Sequence, residues 1–525
     1  MITERCEDEY TPSPGPNPHP PPEPSDVFWQ TDHRSFEPLI YAPPARQIPW
    51  YWEKFIELVD PFVKILHIPT TAPLFLNFNA SATPVDTQPL FFAICYSVAC
   101  SLPPSACATV LQDDQRALIV KYKTATQRAL GAARFLATQE LRVLQALVLL
   151  MSCAGGSEAE ELWTLTGLVL RVAQHMGLHR DGGRHFAALV SPFAAEMRRR
   201  AWWHICVLDL QVSEVRGAES TVLDLAFDTR MPANVRDEDV APEMEALPAA
   251  RKGCTAVTGS LISFEVVEVL RKMARAAKKG AAGCSAVTFQ QKVGILDDFT
   301  AKVEDEYLAH GVKRDGPLFH CCRALFRCLR ARLLLLLYRP FRQPGRNAHL
   351  SQDAKDTLFL ACLEALESWH FLSADPRFTA RSTGFRANVL FQVLIFVLLQ
   401  LCGGRNDALA ERAWHMVMAA QLPPPDRSLE PRMRRIIGPG SRLLERAKRS
   451  RELQLQQRSS EAEFNDHLHP ITTPTTAVRS SAAGSTQGSG EGADAHAPPG
   501  GFDTLSADLA AFVEEFPGSY FMDIM

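Results

Sequence analysis

A chain of 525 residues with a hydrophobic fraction of 46% is long enough for a large core and for more than one domain. Its formal net charge of −4 gives no global attraction to nucleic acid, so any contact with DNA needs a local module. The 13 cysteines are odd in number and scattered mostly through apolar helical patterns, which suits reduced thiols in a cytosolic or nuclear protein, and the opening MITERCEDEY lacks a secretion signal.

Residues 1–47 are rich in proline, as in TPSPGPNPHPPPEPS and APPA, a composition that prefers extended polyproline conformation and predicts disorder. Helical patterns then fill 48–421. In PWYWEKFIELVDPFVKILHIPT, Tyr51, Phe55, Leu58, Val59 and Phe62 give one helical face, followed by a turn at Pro69. LFFAICYSVACSL, ALIVKYKTATQRALGAARFL and LRVLQALVLLMSC come next, the last stopped by Gly155 and Gly156. Further helices are read in EAEELWTLTGLVLRVAQHMGL, LISFEVVEVLRKMARAAKK, VTFQQKVGILDDFTAKVEDEYL and FHCCRALFRCLRARLLLLLYRPF, which breaks at Pro340. DAKDTLFLACLEALESWHFL, GFRANVLFQVLIFVLLQLC and ALAERAWHMVMAAQL close the set. Alternating strand patterns with Asn-Gly or Asp-Gly turns are nearly absent, so the predicted fold class is all-α. The longest apolar runs, LLLLLY before Arg339 and VLFQVLIFVLLQLC from Val389, are too short to span a bilayer and read as buried core helices.

Residues 422–458 read as a basic linker and 459–500 as a low-complexity linker rich in Ser, Thr and Gly. The basic part holds Arg432, Arg434, Arg435, Arg442, Arg446, Lys448, Arg449 and Arg451, which could serve nuclear import or DNA phosphate contact, or else form a solvated helix with Glu445 and Glu452. Residues 501–525 carry no Lys or Arg. There Leu505, Leu509, Phe512, Val513 and Phe516 fall at i, i+4, i+7, i+8 and i+11 among acids, the composition of an activation segment or of a terminal helix docked on its own domain.

The most telling stretch runs from Leu168 to Pro242. Ser191 suits a helix N-cap and Pro192 the first helical position. Met197, Ala201, Ile205, Leu208 and Val212 then recur on one apolar face, and Gly217 suits the C′ position. Arg198, Arg199 and Arg200 precede Trp202 and Trp203, on whose rings guanidinium groups could lie. As a charge run, the arginine triplet is expected to be a solvated face with salt bridges rather than a DNA contact. The ordered series GLHRD, SPF, EMRRRAWW, LD, SE, MPAN and DEDV, with the earlier VDP…V-K…L-H-P, resembles the middle homology region of fungal binuclear-zinc-cluster transcription factors. That resemblance implies a large helical regulatory domain. Within it, Trp202 and Trp203 would anchor the helix and Asp209 would accept hydrogen bonds.

Family members carry an N-terminal six-cysteine cluster that binds two zinc ions for DNA recognition. This sequence departs there: only Cys6 precedes the helical region and no CxxC occurs, which leaves either a chain without the module or a missing leading exon. Zinc is expected only with such a module, and no cofactor is otherwise indicated. His175 and His179 stand four apart, a spacing that can hold zinc, yet no third ligand is obvious and a plain helix terminus is preferred. His179-Arg180-Asp181 spells a kinase triplet, but Phe186 stands where that loop needs Asn. GxSxG, GxxxxGK[ST] and GxGxxG after a strand are all missing, so no enzyme is expected. The resemblance thus implies a nuclear regulator of RNA polymerase II transcription, pathway-specific for a secondary-metabolite gene cluster. Its partners would be DNA, directly or through another transcription factor, coactivators, a second copy and a small-molecule effector, with no membrane. The alternatives are a co-regulator without its own DNA-binding module, or a small-molecule-binding protein or enzyme on the same scaffold.

Overall fold

Gln88–Ser101 contains no charged residue, and a helix that is apolar all round must be covered all round. In the computed structural model every residue of this helix but Cys100 is buried. The structure describes residues 36–154, 159–185, 188–216, 218–280, 285–309, 316–338, 351–373, 385–405, 407–419 and 431–466. Among these residues there are helices and no strand, in keeping with the all-α reading.

The longer helices are α1 (Ile48–Leu58), α2 (Ile68–Leu76), α3 (Gln88–Ser101), α4 (Gln115–Ala132), α5 (Leu141–Cys153), α6 (Ala159–His175) and α7 (Pro192–Arg216). They continue as α8 (Thr258–Gly280), α9 (Ser285–Lys302), α10 (Pro317–Leu337), α11 (Gln352–Ser373), α12 (Phe385–Cys402), α13 (Ala408–Ala419) and α14 (Pro431–Asp466). The apolar α3 is wrapped by α1, α4 and α5. In the middle, α7 touches α5, α6, α8 and α12. Beyond it α10, α11, α12 and α14 pack in succession. One apolar core runs through all of them, from Tyr51 and Phe92 through Trp202 and Phe264 to Leu333, Phe359 and Val397. Among the described residues no single helix is long and apolar enough to cross a membrane.

Local signals set several of these boundaries. Asp114 caps α4 by accepting the Ala117 N–H at 3.0 Å, just after Gln112 turns the chain with a φ of 55°. Pro69 does not make the predicted turn. It sits in the first turn of α2, where its missing N–H costs nothing.

Two segment boundaries differ from the sequence reading. Order reaches back before Ile48: Pro38–Tyr41 forms a short helix, and Phe36 lies edge-on to Phe92 at 5.9 Å between ring centres. The aromatic side chains hold this piece despite its prolines. The region expected to be a basic linker over 422–458 contains most of α14, which docks on α12. Its composition is basic, yet Ser441 and Ala447 are buried and Leu443 and Leu444 pack against the core, a narrow strip that charge content conceals.

Candidate functional site

The helix that carries the telling motif is built as its sequence suggests. The Ser191 hydroxyl accepts the Ala194 N–H at 3.2 Å, and Pro192 opens α7. Met197, Ala201, Ile205, Leu208 and Val212 are all buried. The rest of the helix does not face water either. Glu196, Arg199, Arg200, His204, Asp209 and Glu214 are buried with them, because α7 is enclosed by helices on several sides.

The arginine triplet is therefore not the solvated face that a charge run suggests. Arg198 is half-buried and donates to the Met176 carbonyl, closing the C-terminal end of α6. Arg199 clasps Asp181 with both arms of its fork, Nε to Oδ2 and Nη2 to Oδ1, each at 2.8 Å. Asp181 also accepts the Arg230 N–H at 3.0 Å, and its own N–H reaches Asp228 at 3.0 Å. The triplet that spells a kinase loop is thus a strut between α6, α7 and the segment after them.

Arg200 is 0% exposed. Its Nη1 donates to the Leu66 carbonyl at 3.1 Å and to Asp237 Oδ1 at 2.9 Å, while Nε faces Glu196 at 3.4 Å. Asp237 gathers the cluster. It pairs with Lys64 Nζ at 2.7 Å and accepts the Ile68 N–H at 2.9 Å, which satisfies an orphan donor at the start of α2. Lys64 also holds Asp60 at 2.6 Å, and the His67 ring meets the Asp237 carbonyl at 2.9 Å. Glu196 accepts the Ala233 N–H at 3.2 Å. Asn234 beside it donates to the carbonyls of Arg251 and Gly253, at 2.7 and 2.9 Å. So VDP…K…H, EMRRR, MPAN and DEDV, far apart in the chain, meet in one buried ionic lattice.

Burial sets the titration of its members. It pushes Asp60 up to about 6, against the pull of Lys64. Burial acts the same way on Asp237 and Asp181, but cations and N–H donors outweigh it. Arg200 and Lys64 bring Asp237 to about 2, and Arg199 with the Arg230 N–H brings Asp181 to about 2. Desolvation lowers His204 to about 3, so this imidazole is neutral. Burial also raises Glu196, Asp209 and Glu214.

The aromatic part of the motif packs around Phe227. Trp202 and Trp203 both stand edge-on to Phe227, at 5.2 and 5.5 Å. Trp203 Nε1 donates to the Arg230 carbonyl at 2.9 Å. The cation over this group comes from α8, where Arg271 lies 3.6 Å from the Phe227 ring centre. Asp209 accepts the Ser220 hydroxyl at 2.6 Å and the Val222 N–H at 3.0 Å. Glu214 receives the fork of Arg332 from α10, with Nε to Oε1 at 2.8 Å. Arg332 carries no mark in the sequence; only its buried pairing with Glu214 reveals it.

The remaining sequence candidates do not join this site. His175 is exposed while His179 turns toward Trp202, 6.3 Å away. Among the described residues no group of three or more His, Cys, Asp or Glu is placed to hold a metal ion. On α14, Lys448 pairs with Glu445 at 2.8 Å, Arg449 is exposed, and Arg451 reaches Glu411 at 2.7 Å while lying over Trp414. The side chains of Arg432, Arg434 and Arg435 lie outside the described residues, as do Leu505, Leu509, Phe512 and Phe516. A shallow open cleft between Tyr41 and α4, lined by Arg116, Val120 and Lys121, lies apart from the lattice.

Known proteins agree with the motif reading. Residues 50–276 match the family described as fungal specific transcription factor domain. The aurofusarin cluster transcription factor aurR2 of Gibberella zeae is 30% identical over 371 residues, covering 70% of this chain and 54% of that protein. The pyriculol/pyriculariol biosynthesis cluster transcription factor 1 of Pyricularia oryzae is 33% identical over 221 residues, covering 42% and 29%. The C6 finger domain transcription factor adaR of Aspergillus niger is 26% identical over 414 residues, covering 74% and 52%. The chain thus spans about half the length, or less, of these curated relatives. No solved structure matches it. The buried lattice from Asp60 to Asp237 falls wholly inside the matched span, and residues 50–276 of this chain are a fungal specific transcription factor domain.

Proposed function

We propose that this chain is a nuclear regulator of RNA polymerase II transcription, dedicated to one secondary-metabolite gene cluster and acting at DNA directly or through a partner transcription factor. The observation that carries the reading is the coincidence of two things. The matched domain spans 50–276, and the motif residues inside it are taken up in one buried lattice of ion pairs and hydrogen bonds. A helical body so built is a platform. Its relatives are named as cluster transcription factors. Deleting the gene and measuring transcripts genome-wide tests the proposal. A coordinated change in a contiguous set of biosynthetic genes is the expected result; no coherent set would overturn it.

Two segments outside the platform would connect it to the transcription apparatus. The basic residues Arg432, Arg434, Arg435, Lys448, Arg449 and Arg451 would serve import or phosphate contact. Of these, Arg449 is exposed, so it is a natural first target for charge reversal together with Arg432, Arg434 and Arg435. A reporter fused to the full chain is expected to leave the nucleus in that variant. The acidic-hydrophobic segment 501–525 would engage a coactivator groove through Leu505, Leu509, Phe512 and Phe516. Fused to an unrelated DNA-binding domain it is expected to activate a reporter, and Phe512→Ala with Phe516→Ala to silence it. Asp508→Asn alone is expected to weaken activation less, and a silent parent fusion would show the segment to be structural.

A further inference from the structure

Most of the described cysteines are buried. Two of them face each other across an interface between distant parts of the chain. Cys254 lies in the segment that leads into α8, and Cys322 lies in the second turn of α10. Their sulfurs are 3.6 Å apart. Cys322 is sealed at 1% exposure, whereas Cys254 is half-buried and within reach of solvent.

The backbone around Cys254 is held from several directions. Gly253 takes a φ of +98°, a conformation that favours glycine, and its N–H donates to the Glu306 carbonyl at 2.7 Å. Its carbonyl accepts Asn234. On the other side, the Thr255 N–H donates to the Thr258 hydroxyl at 2.8 Å, and the Thr255 hydroxyl donates to Asn234 at 2.6 Å. The first turn of α8 is seated close by. A Cβ on Gly259 would stand 2.9 Å from the Pro61 carbonyl oxygen and 3.9 Å from the Cys322 sulfur. Cys254 is thus presented to Cys322 by a fixed frame, and a rotation of two side chains can bring the sulfurs into bonding range. The contact with Cys322 also holds the Cys254 thiol below its ordinary value, while the same contact, together with burial, raises Cys322. The accessible sulfur is the better nucleophile and the sealed one its resolving partner.

We propose that Cys254 and Cys322 form a peroxide-reactive dithiol that closes reversibly into a disulfide, tying the segment before α8 to α10. In the first step the Cys254 thiolate attacks one oxygen of hydrogen peroxide. The S–O bond forms, the O–O bond breaks, and the released hydroxide takes up the thiol proton as water. In the second step the Cys322 sulfur attacks the Cys254 sulfenic sulfur. The S–S bond forms, the S–O bond breaks, and hydroxide leaves with the Cys322 proton as a second water. Two thiols lose two electrons and two protons, and one peroxide becomes two waters. Dithiols such as thioredoxin reverse the step by exchange.

The test treats the full chain with hydrogen peroxide, blocks the remaining thiols, digests with trypsin and weighs the peptides. Cys254 is the only cysteine of its tryptic peptide, whereas Cys321 and Cys322 share theirs. The expected product joins the two peptides with the loss of two hydrogens and separates on adding dithiothreitol. C321S keeps the cross-link and C322S loses it. In C322S, dimedone traps a sulfenic acid on Cys254 that does not accumulate in the wild type. Circular dichroism before oxidation confirms that the serine variants are folded. The proposal is overturned if the cross-link survives in C322S, if Cys254 is unmodified while other thiols oxidise, or if dimedone labels Cys254 equally with and without Cys322.

Discussion

Two arginine-rich helices in this molecule have opposite fates. On α7, Arg199 and Arg200 are buried and find carboxylates from distant parts of the chain, Asp181 and Asp237, besides Glu196 on the same helix. On α14, Lys448 pairs with Glu445 one turn away and Arg451 with Glu411 on α13, all of them partly or largely in solvent. The residue types are alike and the pairs are similarly short. What differs is the dielectric around them and the cost of losing a partner. A guanidinium removed from the interior leaves carboxylates stranded, whereas one removed from the surface leaves a carboxylate in water. Arginine runs therefore say little until it is known what surrounds them.

That contrast can be broken by mutation. Arg200→Ala takes a buried cation from Asp237 and Glu196 and is expected to destabilise by about 3–5 kcal/mol in urea unfolding. A loss below about 1 kcal/mol would mean that the buried lattice is no more valuable than a surface pair. Trp203→Ala removes a buried indole and its bond to the Arg230 carbonyl, and a similar or slightly smaller loss of about 3–5 kcal/mol is expected.

The pH response sharpens the comparison, because two members of the buried region titrate in opposite senses. His204 stands at about 3 against an ordinary 6.5, so the unfolded chain binds its proton first and stability falls as pH drops through that window. Asp60 stands at about 6 against 3.8, so the folded chain binds its proton first and stability rises as pH drops from 6 toward 4. Between these limits the two effects offset each other. Asp60→Asn removes one of them and is expected to steepen the loss between pH 6 and 4 by roughly 1–2 kcal/mol, whereas His204→Gln is expected to reverse the slope. Melting temperatures across that range are the measurement, and parallel curves for all three proteins would refute the assignment. Below pH 4, Asp181 and Asp237 add their own loss as they protonate toward about 2. The smallest effect belongs to the surface: Arg451→Ala is expected to cost about 0–1 kcal/mol, less at high salt.

The helical class and most helix positions are legible in the sequence, since periodicity is a local property. Ser191 with Pro192 places the start of α7, and its apolar face is readable from Met197 to Val212. The ionic lattice as a whole is not readable, because the bonds that join its parts are not local. Arg200 reaches Leu66 across 134 residues and Arg332 reaches Glu214 across 118. No window of sequence contains both partners. The charge-run rule favours solvent for Arg198–Arg200 because exposed runs are common, and it fails where the helix is enclosed on every side. The docked face of α14 escapes notice for the converse reason: Leu443, Leu444 and Ala447 are few among many charges.

The reach of Arg332 has a consequence for synthesis. As the chain leaves the ribosome, Glu214 emerges 118 residues before the guanidinium that neutralises it. Lys64 likewise waits for Asp237. During vectorial synthesis the nascent core must carry unpaired charges or stay open until both arrive, a state exposed to misassembly and suited to chaperone protection. The family boundary at residue 276 falls before Arg332, so a chain ending there holds Glu214 without its guanidinium. A fragment cut there is expected to be recovered as aggregate, and one carried on to 466 as monodisperse protein.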